Sequence, residues 1–294
     1  YESVKATNPS IVYTVISGFG AKGPRSADPA YDGAIQAAAG MMANNGTAES
    51  GPLRTGYMPV DLMTGMTAAY ATTAALLRKQ KTGEGQMVDV AMLDCAITLG
   101  SANFARSEVD DVPDMLIGNQ SITSVPTASS FPTADGSILT AAIMPNHVEA
   151  FFDEIGLKEM LNDPKFATRE ARIENKEIVR DAMIEALQSD TAENWEKRLA
   201  PRGVPVAKIN SVSETSKLEQ LKYRNILAKV PAAKGMENGF KLPGAPFTNS
   251  EDGPEVMRPA PVLGQHTEEI LEEIGIDKST ISILEAEGII CKDG

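Results

Sequence analysis

Over the first hundred residues, apolar positions alternate between short β-branched runs and longer stretches of small side chains. Residues 11–16, Ile-Val-Tyr-Thr-Val-Ile, form a run that reads as a buried strand and stops at Ser17-Gly18-Phe19-Gly20. Residues 30–42 read as an alanine-rich helix closing at Asn44-Asn45-Gly46. Residues 61–81 read as a long helix, buried on most sides, in which Gly65, Ala68, Ala69, Ala71, Ala74 and Ala75 let neighbouring backbones approach closely. After a turn at 82–86, residues 87–92 give the next strand, so a helix joins two strands as in an α/β unit, and residues 93–106 give a further helix.

The pattern then changes. Residues 109–132 carry glycine, proline and many hydroxyls and read as a linker or binding loop. A strand follows at 137–143, helical periodicity dominates 147–199, and the segments 241–247 and 258–261 are extended and fixed by proline before a helix at 267–274. The expected division is 1–112, 113–222 and 223–294, an α/β fold with a second unit and a closing segment.

Composition narrows the function. At 294 residues the chain can bury a sizeable core, and its 42% hydrophobic and 23% charged residues are those of a globular protein. The net charge of −13 opposes binding to nucleic acid, and an anionic ligand would need local cations or helix N-termini against that field. No apolar run is long enough to span a bilayer and no signal peptide is apparent, so a membrane partner is not expected. Two cysteines imply no disulfide framework and make a reducing cytoplasmic setting the default, with Cys95 expected as a packed core thiol. The opening Tyr1-Glu2-Ser3-Val4 lacks an initiator methionine, which points to a start inside a longer protein.

The usual catalytic signatures are missing: there is no phosphate loop, no Gly-x-Ser-x-Gly, no His pair for a metal and no Cys-x-x-Cys. No metal site is expected. His147 reads as a capping or core histidine and His266 as an exposed cap. Asp61 is the residue that draws notice, because it follows a proline-bearing loop and opens the long helix. Its ordinary role would be an N-cap, since caps are far commoner than nucleophiles. The two roles are compatible: a helix N-terminus favours a carboxylate anion, and an anion is what covalent carboxylate catalysis requires.

In their order and spacing, several motifs resemble the class III CoA-transferases and the related α-methylacyl-CoA racemases. They are Ile16-Ser17-Gly18-Phe19-Gly20-Ala21-Lys22-Gly23-Pro24, Tyr31-Asp32 with Gln36-Ala37, Asp61 with Gly65, Lys81-Thr82-Gly83-Glu84-Gly85-Gln86, Phe131-Pro132-Thr133-Ala134-Asp135-Gly136, Leu242-Pro243-Gly244-Ala245-Pro246 and Leu263-Gly264-Gln265-His266-Thr267. The resemblance implies a Rossmann-like large domain, a smaller α+β domain and a C-terminal return to the large domain, in an interlocked homodimer. It implies transfer of CoA from an acyl-CoA donor to a carboxylic acid acceptor, with the CoA thioester as substrate and no permanent cofactor. Asp61 matches the family nucleophile, and Gly18, Phe19, Gly20, Tyr31, Asp32 and Met92 match positions around the thioester. Two departures stand out. The family's glycine run over the active site has no counterpart between Gly118 and Pro132, and an N-terminal segment of about a hundred residues is missing. The alternatives are a racemase-like isomerase, disfavoured because Tyr31 stands where racemases carry histidine, or an inactive fragment that serves in assembly.

Overall fold

The computed structural model describes residues 1–111, 113–232, 235–253 and 258–291, so the boundary expected after residue 112 lies outside the described residues. The chain divides into two units, residues 1–208 and 209–294. Both are mixtures of helix and strand.

The first unit opens on a β-α-β arrangement. Strand β1 (Val12–Ser17) is followed by helix α1 (Asp32–Ala38), helix α2 (Pro59–Thr82) and strand β2 (Gln86–Ala91), and β1 and β2 pair in parallel with Val12 opposite Gln86. Helix α2 packs against both strands, and the Thr14 and Thr72 hydroxyls share a hydrogen bond of 2.6 Å between sheet and helix. Helices α3 (Met92–Leu99) and α4 (Ser101–Asp110) leave the sheet. Two expectations fail here. Strand β1 is half-buried rather than buried, with Ile16 exposed, because a two-stranded sheet covered by one helix has little interior. Helix α2 buries only Val60, Thr64, Ala68 and Ala75, a narrow stripe, and Leu62, Met66 and Tyr70 stand 64%, 60% and 66% exposed on another face. Small residues there read as buried because they are apolar, but a stripe at spacing four needs only one covered side.

Beyond the irregular segment, an antiparallel sheet runs in the order β3 (Ser130–Pro132), β4 (Ser137–Thr140), β5 (Val206–Lys208). Helices α5 (Pro145–Glu154), α6 (Lys176–Leu187) and α7 (Ala192–Leu199) cover it. Phe131, Ile138, Phe151, Phe152, Met183 and Leu199 are fully buried in one cluster, and the Trp195 indole N–H donates to the Leu187 carbonyl at 2.9 Å. Apolar positions at helical spacing thus meet a sheet face and close a core without help from elsewhere.

The second unit pairs β6 (Leu227–Val230) with β7 (Phe240–Pro243) and ends in helices α8 (Thr267–Glu273) and α9 (Lys278–Ala286). Asp277 caps α9 by accepting from the Thr280 N–H at 2.9 Å. Among the described residues no helix is long and apolar enough to cross a membrane, and no group of histidine, cysteine and carboxylate side chains could hold a metal ion.

Candidate active site

Asp61 is not the N-cap of its helix. Proline fixes the first helical φ and lacks an N–H, so α2 begins at Pro59 with Met58 as the capping position, and Asp61 falls on the third helical residue with its carboxylate exposed. Met58 makes no side-chain cap. The capping oxygen comes from another helix: Oδ2 of the buried Asp32 accepts from the Val60 N–H at 2.9 Å and from the Asp61 N–H at 3.2 Å. Asp32, expected at the start of its own helix, is indeed the first residue of α1, yet its carboxylate serves α2.

The other oxygen of Asp32 accepts from Gln36 Nε2, one turn along α1. Gln36 is buried as well, donating to the Thr55 hydroxyl at 3.0 Å while its carbonyl oxygen accepts from the Thr55 N–H at 3.0 Å. Thr55 in turn donates to the Tyr57 carbonyl at 2.8 Å. The loop before α2 and the first turn of α2 are therefore held by one polar network whose members satisfy each other inside an apolar setting. Gln36 and Thr55 had no role assigned from sequence. The available signal was the pair Asp32 and Gln36, four residues apart on one face of an otherwise alanine-rich helix.

The remaining predicted residues gather around the same place. Val60, next to Asp61, forms a cluster with Ile35, Ala39 and Ala96, against which Phe19, Ala30, Met92 and Leu93 pack. Phe19 lies under the Arg25 guanidinium, 3.8 Å from ring centroid to carbon. Gly18 approaches Ala30 so closely that a Cβ would stand 2.3 Å from the Ala30 methyl, and its carbonyl accepts from the Leu93 N–H at 3.0 Å. Gly20 has a φ of +95°, which disfavours any residue with a side chain, and its N–H donates to the Ser17 hydroxyl at 3.0 Å. Asp89 on β2 accepts from the Ala21 N–H through both oxygens, at 3.0 and 3.2 Å. Tyr31 stands apart from this order: it occupies the N-cap position of α1 and is 86% exposed. The structure thus brings Phe19, Asp32, Met92 and the backbone of Asp61 close together and leaves the Asp61 and Tyr31 side chains exposed.

Within the first unit, His147 is not among the residues of this cluster. His147 lies in the first turn of α5, half-buried, with Nδ1 unpartnered, and His266 takes the N-cap position of α8 without making a side-chain cap. Cys95 is buried, as expected of a core thiol.

The chain is 29% identical over 284 residues to the succinate–glutarate CoA-transferase of Agrobacterium fabrum, covering 93% of this chain and 68% of that protein. An acyl-CoA transferase of Fusarium pseudograminearum is 29% identical across 99% of this chain, which spans 63% of its length. The crystal structure of a CAIB/BAIF family protein from Brucella suis superposes with a TM-score of 0.79 at 26% identity, covering 93% of this chain and 70% of that one. The chain therefore spans about two thirds of the length of such relatives. Residues 1–267 match CoA-transferase family III, and the chain belongs to that family.

Proposed function

We propose that this chain carries the nucleophile of an acyl-CoA:carboxylate CoA-transferase and that Asp61 is that nucleophile. The observation that supports the reading best is an exposed carboxylate whose backbone N–H is held by a buried second carboxylate, Asp32. A carboxylate nucleophile needs an accessible oxygen and a fixed backbone, and this pairing supplies both.

In the proposed reaction, an Asp61 oxygen attacks the carbonyl carbon of the donor thioester, and the carbon–sulfur bond breaks to release CoA thiolate and leave a mixed anhydride. The thiolate attacks the Asp61 carbonyl carbon, expelling the donor acid as its carboxylate and forming an aspartyl-CoA thioester. An acceptor carboxylate attacks that thioester and again frees the thiolate. The thiolate then takes the acceptor acyl group, and Asp61 returns as a carboxylate. One thioester is exchanged for another, so no external energy source enters. Gly18, Phe19, Gly20, Tyr31 and Met92 are proposed to border the thioester, with Asp32 as a positioning residue. The named activity of the Agrobacterium relative favours small dicarboxylic acids as donor and acceptor.

The same reading places the chain in the cytoplasm, with the β-α-β part as the core of a Rossmann-like domain, and makes it one half of a homodimer. The exposed Leu62, Met66 and Tyr70 face of α2 supports the dimer, since contiguous apolar surface of that kind marks interfaces. Sedimentation at micromolar concentration would show a dimer, and a stable active monomer would count against it.

Incubation with succinyl-CoA or glutaryl-CoA followed by hydroxylamine should leave a hydroxamate on Asp61, located by mass spectrometry. Asp61→Asn should lower transfer by about three orders of magnitude or more with the fold retained. A hydroxamate on another carboxylate would sink the assignment. Asp61-dependent α-deuterium exchange from deuterated water, without CoA transfer, would move the chain to the racemases.

A further inference from the structure

A concave feature lies between α4 and the irregular segment that follows it. It is a cavity of about 110 Å³, with Met115, Ile117 and Ile122 as apolar walls and Asn44, Asn103, Arg106, Ser121 and Ser124 as polar ones. No carboxylate lines it. Asn103 and Arg106 are three residues apart on α4 and so project from the same side of the helix. Both are half-buried, and neither side chain makes a hydrogen bond or ion pair with any described residue. Ser124 has a φ of +59°, a left-handed backbone uncommon for a residue with a Cβ, and such strain concentrates at ligand sites.

Arg106 is half-buried and makes no ion pair with a described residue, although the chain has forty acidic side chains against twenty-seven basic ones from which a partner could have been drawn. Asp114 borders a neighbouring cavity of about 300 Å³ and is engaged by Asn44 Nδ2 at 2.8 Å, and Asp110, one turn along α4, makes no ion pair with Arg106. The cation at Arg106 is thus left for a ligand. Its planar fork suits a carboxylate, which accepts two parallel N–H bonds, and Asn103 can donate a further one. The apolar walls suit methylene groups rather than an inorganic ion. The volume is well below the roughly 300 Å³ at which sites for drug-sized ligands begin, which excludes a nucleotide and fits a short acid.

We propose that this cavity is a binding site for a short-chain carboxylic acid, with Arg106 pairing the carboxylate, Asn103 donating beside it, and Met115, Ile117 and Ile122 enclosing the carbon chain. The choice of a carboxylic acid over other small organic anions rests on the transferase reading, whereas the anion site itself rests on Arg106 and its surroundings.

Calorimetric titration with succinate, glutarate and inorganic phosphate tests it on this chain. Succinate or glutarate should bind, phosphate should bind more weakly, Arg106→Gln should weaken the acid by about ten- to a hundredfold, and Arg106→Lys should restore part of the loss. Unchanged acid binding in Arg106→Gln, phosphate as tight as the acids, or no acid binding at all would overturn the site. If Arg106→Gln does not fold, phenylglyoxal labelling of the unaltered chain replaces it: saturating succinate should protect Arg106, and full labelling in its presence would overturn the proposal. Asp61→Asn separates this site from the transferase reading, since it should abolish transfer yet bind succinate as the unaltered chain does. Arg106-dependent binding in a chain with no transfer activity would support the site and count against the reaction.

Discussion

Two regions of the first unit solve the same packing problem in different ways. From Phe131 to Val204, large side chains converge from a sheet and several helices into one core whose members reach full burial. From Val12 to Ala96, most of the buried apolar residues fall into two small clusters, one around Ile35 and Val60 and one around Ala68 and Val90, and much apolar surface on α2 stays open. The first region spends its sequence on self-contained stability. Both bury a few polar groups, Thr133, Thr140 and Arg172 in the first and Asp32, Gln36 and Thr64 in the second, but in the second Asp32 and Gln36 hold a helix terminus and a loop in place. On the proposed reading, the region that presents the nucleophile carries fewer of the contacts that would stabilise it alone.

The largest expected effect tests that contrast directly. Phe152→Ala, inside the helical core, should cost about 3–5 kcal/mol in urea unfolding, whereas Leu62→Ala on the open face of α2 should stay within about 0.5 kcal/mol in the monomer. Equal losses would erase the distinction. Next in size is Asp32→Ala, which removes the acceptor of two helix N–H groups and leaves Gln36 Nε2 with one partner fewer in a buried site. It should cost about 2–3 kcal/mol and depress transfer through displaced Asp61. An Asp32→Ala chain as stable and active as the original would show that the network is incidental.

The smallest effect is at the surface of the helical region. Arg202, joined by Lys158, holds the Asp153 carboxyl below its ordinary value of 3.8. A carboxylate whose folded pKa is lowered contributes stability that is fully present above the ordinary value and is lost as pH falls through the lowered one. Arg202→Gln should therefore lower stability slightly near pH 7 and move the onset of acid unfolding slightly upward, with the two chains converging below the lowered value. An acid transition that does not move would show that exposed pairs here contribute nothing measurable.

The contrast also separates what was legible in the sequence from what was not. The alternation of strand and helix from 11 to 106 was readable from β-branched runs and proline or glycine punctuation, with ends displaced by a residue or more. Helix α1 is the clearest shortfall, ending at Ala38 rather than near 42, because Gly40 takes a left-handed φ of +77° that ends regular helix. Pro59 marks a first helical position, so a start at residue 61 is two residues late and Asp61 falls within the first turn rather than at the cap. The cap from Asp32 could not be read, because it joins residues 28 and 29 positions apart and nothing local demands it. Helix α9 carries a capping pair, Asp277 and Thr280, but polar residues dilute its apolar face and leave the helical period hard to read.

The carboxylate of Asp32 also supplies a clock for the region. Amide protons in the first turn of a helix have no intrahelical acceptor and ordinarily trade with solvent deuterium quickly. Those of Val60 and Asp61 are bound instead to a buried oxygen, so they exchange only when α1 and α2 part at that point. Their deuterium uptake measures how often the backbone of Asp61 is released, residue by residue and without any substrate present.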